Sequence, residues 1–290
     1  MSGVVTGINY GLLFSTDSSA SDTVASMIAT IYGGGSALSG PTTFASTGNP
    51  LLDLKLAQKN EAADVALETK QPLVTQAITA FKNAVAGAKT IQAALGNPNV
   101  QQVLLTANGL SKYIGDTTLV QKALLSDPHD PKSLASQMGD YALLNTVLTY
   151  NFAQNGLKQL QDPKTIATLT SGYAEMTWRQ SLEQATPGLS NALTFLEQAS
   201  SIKSVNDVLD NMVNFLVVTA ALGIPQSIVN QSQTAQQQAI RTRLNIADLQ
   251  NPNFVTSLTD QYLLTMQEQN ASSSGANGSL DALAVQGLMA

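Results

Sequence analysis

The sequence predicts an all-α protein, a multi-helix bundle, on three observations. From Pro98 to about Gln269, segments of 10 to 22 residues repeat apolar side chains at helical spacing, and none alternates apolar with polar as a half-buried strand would. From Pro50 to about Asn97 nearly every position is a strong helix former: Ala, Leu, Lys, Glu or Gln. A helix-opening phrase recurs at Asp130-Pro131, Asp162-Pro163 and Asn251-Pro252. The bundle reads as one domain over 50–270, or as two pseudo-repeated units over 50–155 and 156–270.

Residues 1–49 are rich in Gly, Ser and Thr, with an amphipathic patch at Val24, Ile28 and Ile31 that ends at Gly33-Gly34-Gly35. Such composition predicts a flexible leader. The helix-forming stretch that follows is interrupted at Pro72, so it is two helices or one kinked helix. At the far end Ala271 to Gly278 reads as a linker, and 271–290 is expected to be a flexible tail with a small apolar end from Leu280.

Each recurring phrase has the chemistry of a helix start. The Asp or Asn side chain accepts from an otherwise orphaned N–H, and the proline has a helical φ and no donor to leave unmatched. A tyrosine follows each proline by ten residues, at Tyr141, Tyr173 and Tyr262. Helical faces are predicted for Leu134, Met138, Tyr141, Leu148 and Phe152, for Ile166, Leu169, Tyr173 and Met176, and for Phe254, Leu258, Tyr262 and Met266. With Trp178, and with Phe215 in the apolar run Met212–Ile224, these supply the expected core.

A longer echo lies at an offset of 114 residues. Lys89-Thr90-Ile91, Leu95, Ala107 and Gly109-Leu110 match Lys203-Ser204-Val205, Leu209, Ala221 and Gly223-Ile224 without a gap. Two similarly organised helical units are one reading, and shared helix-boundary grammar is the other.

Composition excludes several functions. Net charge is -6, and the 14 Lys and Arg residues form no cluster, which removes the attraction that drives nucleic-acid binding. The longest apolar run has 13 residues against the roughly 20 a spanning helix needs, so no membrane insertion is expected. No cysteine is present, hence neither disulfides nor thiolate chemistry. Only 12% of residues are charged, so the polar surface is largely Gln, Asn, Ser and Thr, which suits packing against other proteins.

Four places carry residues that could do chemistry. His129 is flanked by Asp127 and Asp130 as in an acid–base pair or metal site, yet it stands in a helix-to-helix turn and no second histidine exists. Trp178-Arg179 could stack a ligand, but continues an apolar register with Glu175 and Glu183 one turn away for Arg179. Arg241 and Arg243 fit an anion site or a solvated face, and Asp140-Tyr141 fits a buried hydrogen bond. Neither a Gly-x-Ser-x-Gly elbow nor a phosphate-cradling glycine loop occurs. No catalytic residue, cofactor or metal site is expected.

The order of several motifs resembles a known family. They are Leu104 to Leu110, Leu124 to Ala135, Gly139-Asp140-Tyr141, Tyr150 to Gly156, Tyr173 with Trp178-Arg179, Ala220 to Pro225, the Gln-rich Gln231 to Arg243, and Asn251 to Phe254. This series, over roughly residues 75 to 268, is similar to a bacterial domain-of-unknown-function family commonly encoded among flagellar genes. The resemblance implies a flagellum-linked structural or accessory protein that contacts flagellar components, with export by the flagellar apparatus. The alternative is a cytoplasmic adaptor or regulator of flagellar assembly that presents Gln226 to Leu244 to a client.

Overall fold

The computed structural model describes residues 44–286, apart from the side chains of Tyr141 and of residues 272–286. Fourteen α-helices and no strand occur among the described residues: α1 Pro50–Glu68, α2 Pro72–Gly87, α3 Ile91–Leu95, α4 Pro98–Ala107, α5 Thr117–Leu124, α6 Leu134–Gln137, α7 Tyr141–Tyr150, α8 Phe152–Gln161, α9 Pro163–Ala185, α10 Leu189–Gln198, α11 Val205–Leu209, α12 Met212–Ala221, α13 Gln233–Arg241 and α14 Pro252–Gln286. Short 3-10 turns stand at Ser111–Tyr113, Ala199–Ser201, Gln226–Asn230 and Ile246–Gln250. The all-α reading holds.

Residues 60–181 form one compact unit, and residues 45–59 with 182–286 form a second. The division therefore falls at Ser181/Leu182 and not at residue 155, and the first turns of α1 belong with the second unit. Sequence could not place it there, because α1 and α9 are continuous helices and a change of packing partners inside a helix leaves no Gly or Pro punctuation.

The first unit buries Phe81, Leu95, Leu104, Leu105, Leu110, Leu124, Leu143 and Phe152 almost completely. Its helices pack as α2 on α4, α3 on α4, α3 on α5, and α5 on α6 and α7. The second unit buries Phe195, Val213, Val217, Val218, Leu249, Tyr262 and Leu263, with α14 laid against α10, α12 and Ile246–Gln250.

The 114-residue echo proves to be structural. Ile91–Leu95 recurs as Val205–Leu209 and Pro98–Ala107 as Met212–Ala221. The caps recur as well: Thr90 accepts from Ala93 N as Ser204 does from Asp207 N, and Asn97 opens α4 as Asn211 opens α12. Both longer helices end in a glycine at positive φ, Gly109 (72°) and Gly223 (61°). Beyond these, Leu110 N donates to Leu105 O at 2.7 Å and Ile224 N to Thr219 O at 2.8 Å, the six-to-one bond of a helix stop that a left-handed residue permits. Phe81 and Phe195, again 114 apart, are both fully buried. The packing repeats too: α10 on α12, α11 on α12 and α11 on α13 reproduce α2 on α4, α3 on α4 and α3 on α5.

Three boundary expectations change. Of the predicted leader, residues 1–43 lie outside the described residues, whereas 44–49 belong to the fold: Phe44 is buried and Ser46 and Thr47 bond Asp53. The predicted tail is helical through Gln286, since no proline follows Pro252 and extending an existing helix costs far less than nucleating one. The third change concerns Asp130-Pro131. Asp130 accepts from Lys132 N at 2.8 Å in a tight turn, and the cap of α6 is Ser133, which accepts from Ser136 N. With that start displaced and α6 ending before Gly139, the stripe from Leu134 to Phe152 is divided among α6, α7 and α8, and Leu148 is exposed.

Candidate functional site

The residues singled out for chemistry are not brought together. His129 is exposed in the turn before α6, its N–H donating to Asp127 Oδ1 at 2.9 Å. Arg241 and Arg243 are exposed on the last turn of α13 and just beyond it, and Arg243 Nη1 bonds back to Ala239 O. Among the described residues no three His, Asp or Glu side chains stand close enough to hold a metal ion.

The expected helix starts at Asp162-Pro163 and Asn251-Pro252 are as read. Asp162 Oδ2 accepts from Thr165 N at 3.0 Å, and Asn251 Oδ1 from Asn253 N at 3.0 Å. Phe152, Tyr173, Trp178, Phe215 and Tyr262 are all buried; the side chain of Tyr141 lies outside the described residues. Tyr150 and Phe152 stack at 5.4 Å, almost parallel, across Asn151, which holds φ 42° between α7 and α8. Arg179 is as buried as Trp178 beside it and is held by Glu175 at 3.2 Å and Glu61 at 3.4 Å. A guanidinium so enclosed is a structural ion pair of the first unit.

Three carboxylates stand out, Asp53 and Asp140 buried and Glu183 half-buried. Asp140 caps α7 through Leu143 N and also receives Lys112 Nζ and Tyr113 Oη, each at 2.8 Å. Burial works to raise its carboxyl, but the Lys112 and Tyr113 bonds outweigh burial and hold it below the usual range. The same burial, with the Asp140 bond, pushes the Tyr113 phenol up.

Asp53, on the first turns of α1, has no exposed surface. It accepts from Ser46 Oγ (2.6 Å), Thr47 N (2.8 Å), Thr47 Oγ1 (2.7 Å) and Thr186 Oγ1 (2.6 Å). Burial alone would raise it; the hydroxyl bonds, Ser46 first and then Thr186 and Thr47, bring it below its ordinary 3.8.

Glu183 is different. Its carboxylate accepts only two backbone donors, Gly188 N at 2.7 Å and Ser190 N at 3.3 Å, at the entry to α10. Burial dominates those bonds and pushes it up to about 7. Of these three sites only a buried hydrogen bond at Asp140 was expected from sequence, and a phenol that donates to it is that of Tyr113, 27 residues earlier. The Tyr113 donor of Asp140 and the Thr186 donor of Asp53 stand 27 and 133 residues away and leave no local signature.

The remaining candidate is a surface. From Pro225 to Arg243 only Ile240 is buried, and the exposed side chains are chiefly Gln, Asn, Ser and Thr with Val229 among them. Gln236 braces the segment by donating to Val229 O and Gln231 O, and Gln237 by donating to Asn206 Oδ1. Elsewhere a wide-mouthed hollow of about 460 Å³ lies beside α5, lined by Gly115 to Leu119 and Lys122. It lacks the enclosing apolar walls of a small-molecule site. No helix among the described residues is long and apolar enough to cross a membrane.

Comparison with known proteins gives two matches. The model of a family described as "Protein of unknown function (DUF1217)" matches residues 107–255, slightly more than half of the chain. The crystal structure of protein AGR_C_984 from Agrobacterium tumefaciens is similar with a TM-score of 0.63, at 20% identity, over 80% of this chain and 99% of that one. At that identity the likeness bears on the fold alone. No curated protein matches.

Proposed function

The chain belongs to the DUF1217 family, whose function is unknown, and from that premise we propose that it is a non-enzymatic structural or accessory protein of the bacterial flagellum that works through contacts with other proteins. The flagellar assignment rests on the ordered motif series between Leu104 and Phe254. The observation that carries the non-enzymatic part is how the buried and half-buried ionisable groups are used. Asp53, Asp140, Glu183 and Arg179 are each tied to helix ends or to helices of their own unit, a use that supports architecture and leaves none poised over an open cleft. The amide-rich, lightly charged surface from Pro225 to Arg243 offers hydrogen-bonding groups that cost little to desolvate compared with ions.

The test is fractionation of cells carrying an epitope-tagged chain, with and without a working flagellar export apparatus, alongside a variant lacking residues 1–43. Truncation stops at 43 because Phe44, Ser46 and Thr47 belong to the fold. Apparatus-dependent appearance in filaments, basal bodies or medium, abolished by the truncation, is the expected result. Residence in the cytoplasm of both strains with a flagellar partner retained would replace the structural role by the adaptor one. Residence there with no flagellar partner would overturn the reading.

A further inference from the structure

We propose that Asn155 is a site of spontaneous deamidation, a modification the chain performs on itself with water as co-reactant, and that Asn108 is shielded from the same reaction. The tripeptide Asn-Gly-Leu stands twice in the first unit, at 108–110 and at 155–157. A glycine after asparagine leaves the next backbone nitrogen unscreened by any side chain. The two copies therefore share their local chemistry, and the fold is what separates them. A third Asn-Gly, at 277–278, has its side chain outside the described residues.

The reaction needs the nitrogen of the following glycine to reach the asparagine Cγ. Having given up its proton, the Gly156 nitrogen bonds to Asn155 Cγ, and the side-chain nitrogen leaves as ammonia, closing a succinimide ring. Water then opens the ring at either carbonyl. One opening leaves aspartate, the other isoaspartate, whose main chain runs through the former side chain; nothing is oxidised or reduced. At 155 the structure leaves room for this. Asn155 is exposed, and Gly156, at φ 60° and ψ -150°, breaks α8, in a conformation reserved to glycine. The 155–156 peptide can thus turn without unwinding a continuous helix. A Cβ built on Gly156 would meet nothing within 4 Å, so the space beside its α-carbon is open. At 108 each of these conditions is reversed. Asn108 is 7% exposed, its Nδ2 donates to Leu104 O at 2.7 Å, and its Oδ1 accepts from Tyr150 Oη at 3.5 Å. The nitrogen that would attack, that of Gly109, donates to Thr106 O at 3.0 Å, and Leu110 beyond it is fully buried.

Modification at 155 acts on the junction of α7 and α8. Asn155 Nδ2 donates to Tyr150 O at 3.1 Å and so ties the first turn of α8 to the last residue of α7. A carboxylate in its place has no proton to give and sets acceptor against acceptor. Isoaspartate also adds a carbon to the main chain at the break. The junction therefore loosens as the molecule ages.

The experiment is incubation of the full chain in mildly alkaline buffer, folded and in concentrated urea. Timed samples are digested, and the peptides carrying 108 and 155 are read for the mass gain of NH replaced by O and for isoaspartate. Each folded rate is divided by the rate at the same site in urea. The normalised rate is expected to be at least about tenfold higher at 155 than at 108, where reaction waits on the opening of a buried segment. Isoaspartate is expected beside aspartate at 155. A ratio below about tenfold overturns the proposal, and so does aspartate without isoaspartate, which would remove the Gly156 nitrogen as the attacking group. Asn155→Asp tests the consequence. Its hydrogen exchange over 150–161 is expected to quicken about fivefold, what the loss of one ordinary hydrogen bond gives, with 189–198 in the second unit unchanged. Exchange equal to that of the native chain overturns the loosening.

Discussion

Asp53→Ala tests whether residues 44–49 are part of the fold. The side chain is fully buried and accepts four hydrogen bonds, three from hydroxyls and one from Thr47 N. Ser46 and Thr47 are exposed and can turn to water, so their donors survive the substitution cheaply. Thr186, at 6% exposure, cannot. Thr186 Oγ1 keeps Ser46 Oγ at 2.9 Å as a partner, so the cost is that of losing bonds to a charged acceptor, about 1.5 kcal/mol or more each, and a total of about 3–4 kcal/mol is expected. For a chain of this length that lowers Tm by roughly 6–15 °C. Because the folded carboxyl is held below its ordinary 3.8, its contribution is complete at neutral pH and is lost as pH falls through the folded value. Thermal and urea unfolding followed by circular dichroism at pH 7 and again near pH 2 would show the wild-type advantage shrinking with acid. A penalty under about 0.5 kcal/mol at pH 7, the usual range for a surface substitution, or an advantage that persists undiminished at pH 2, would refute the reasoning.

Phe81→Ala and Phe195→Ala should each destabilise by about 3–5 kcal/mol in urea titrations, since both rings are fully enclosed at equivalent places in the repeated pattern. A cost below about 1 kcal/mol at either site would break the equivalence. Ser133→Ala should cost about 1 kcal/mol as the loss of a helix cap, and Asp130→Ala clearly less, because Asp130 closes only an exposed turn. The reverse ranking would restore Asp130 as the start of α6. Asn151→Ala should cost about 1–2 kcal/mol for a side chain held at φ 42°, while Asn151→Gly stays within a few tenths. Equal costs for the two would mean that backbone handedness is not what the position requires.

What could be read locally was read well. Asp162-Pro163 and Asn251-Pro252 open helices because cap, proline and first turn lie within four residues of one another. Asp130-Pro131 has the same letters and opens a turn, since Ser133 supplies a competing cap three residues later and Gly139 leaves room for a single turn of helix. The alignment at an offset of 114 was visible as a few identities. Its structural basis is the equivalence of Thr90 with Ser204 and Asn97 with Asn211 as caps, and of Gly109 with Gly223 at positive φ.

The sequence by itself determined the all-α class, most helix starts, the apolar stripes of α9 and α14 and the exclusion of cysteine chemistry, because caps, prolines and helical periodicity act over a turn or two. Tertiary structure decided the rest. It set the division inside α1 and α9, the recruitment of Ala45 to Thr47 into the second unit, the donors that Tyr113 gives Asp140 and Thr186 gives Asp53, and the approach of Glu183 to Tyr262. The Tyr113–Asp140 and Thr186–Asp53 bonds need groups 27 and 133 residues apart to meet in space. A carboxylate's proton affinity depends on which donors and how much water surround it, and chain spacing does not encode that.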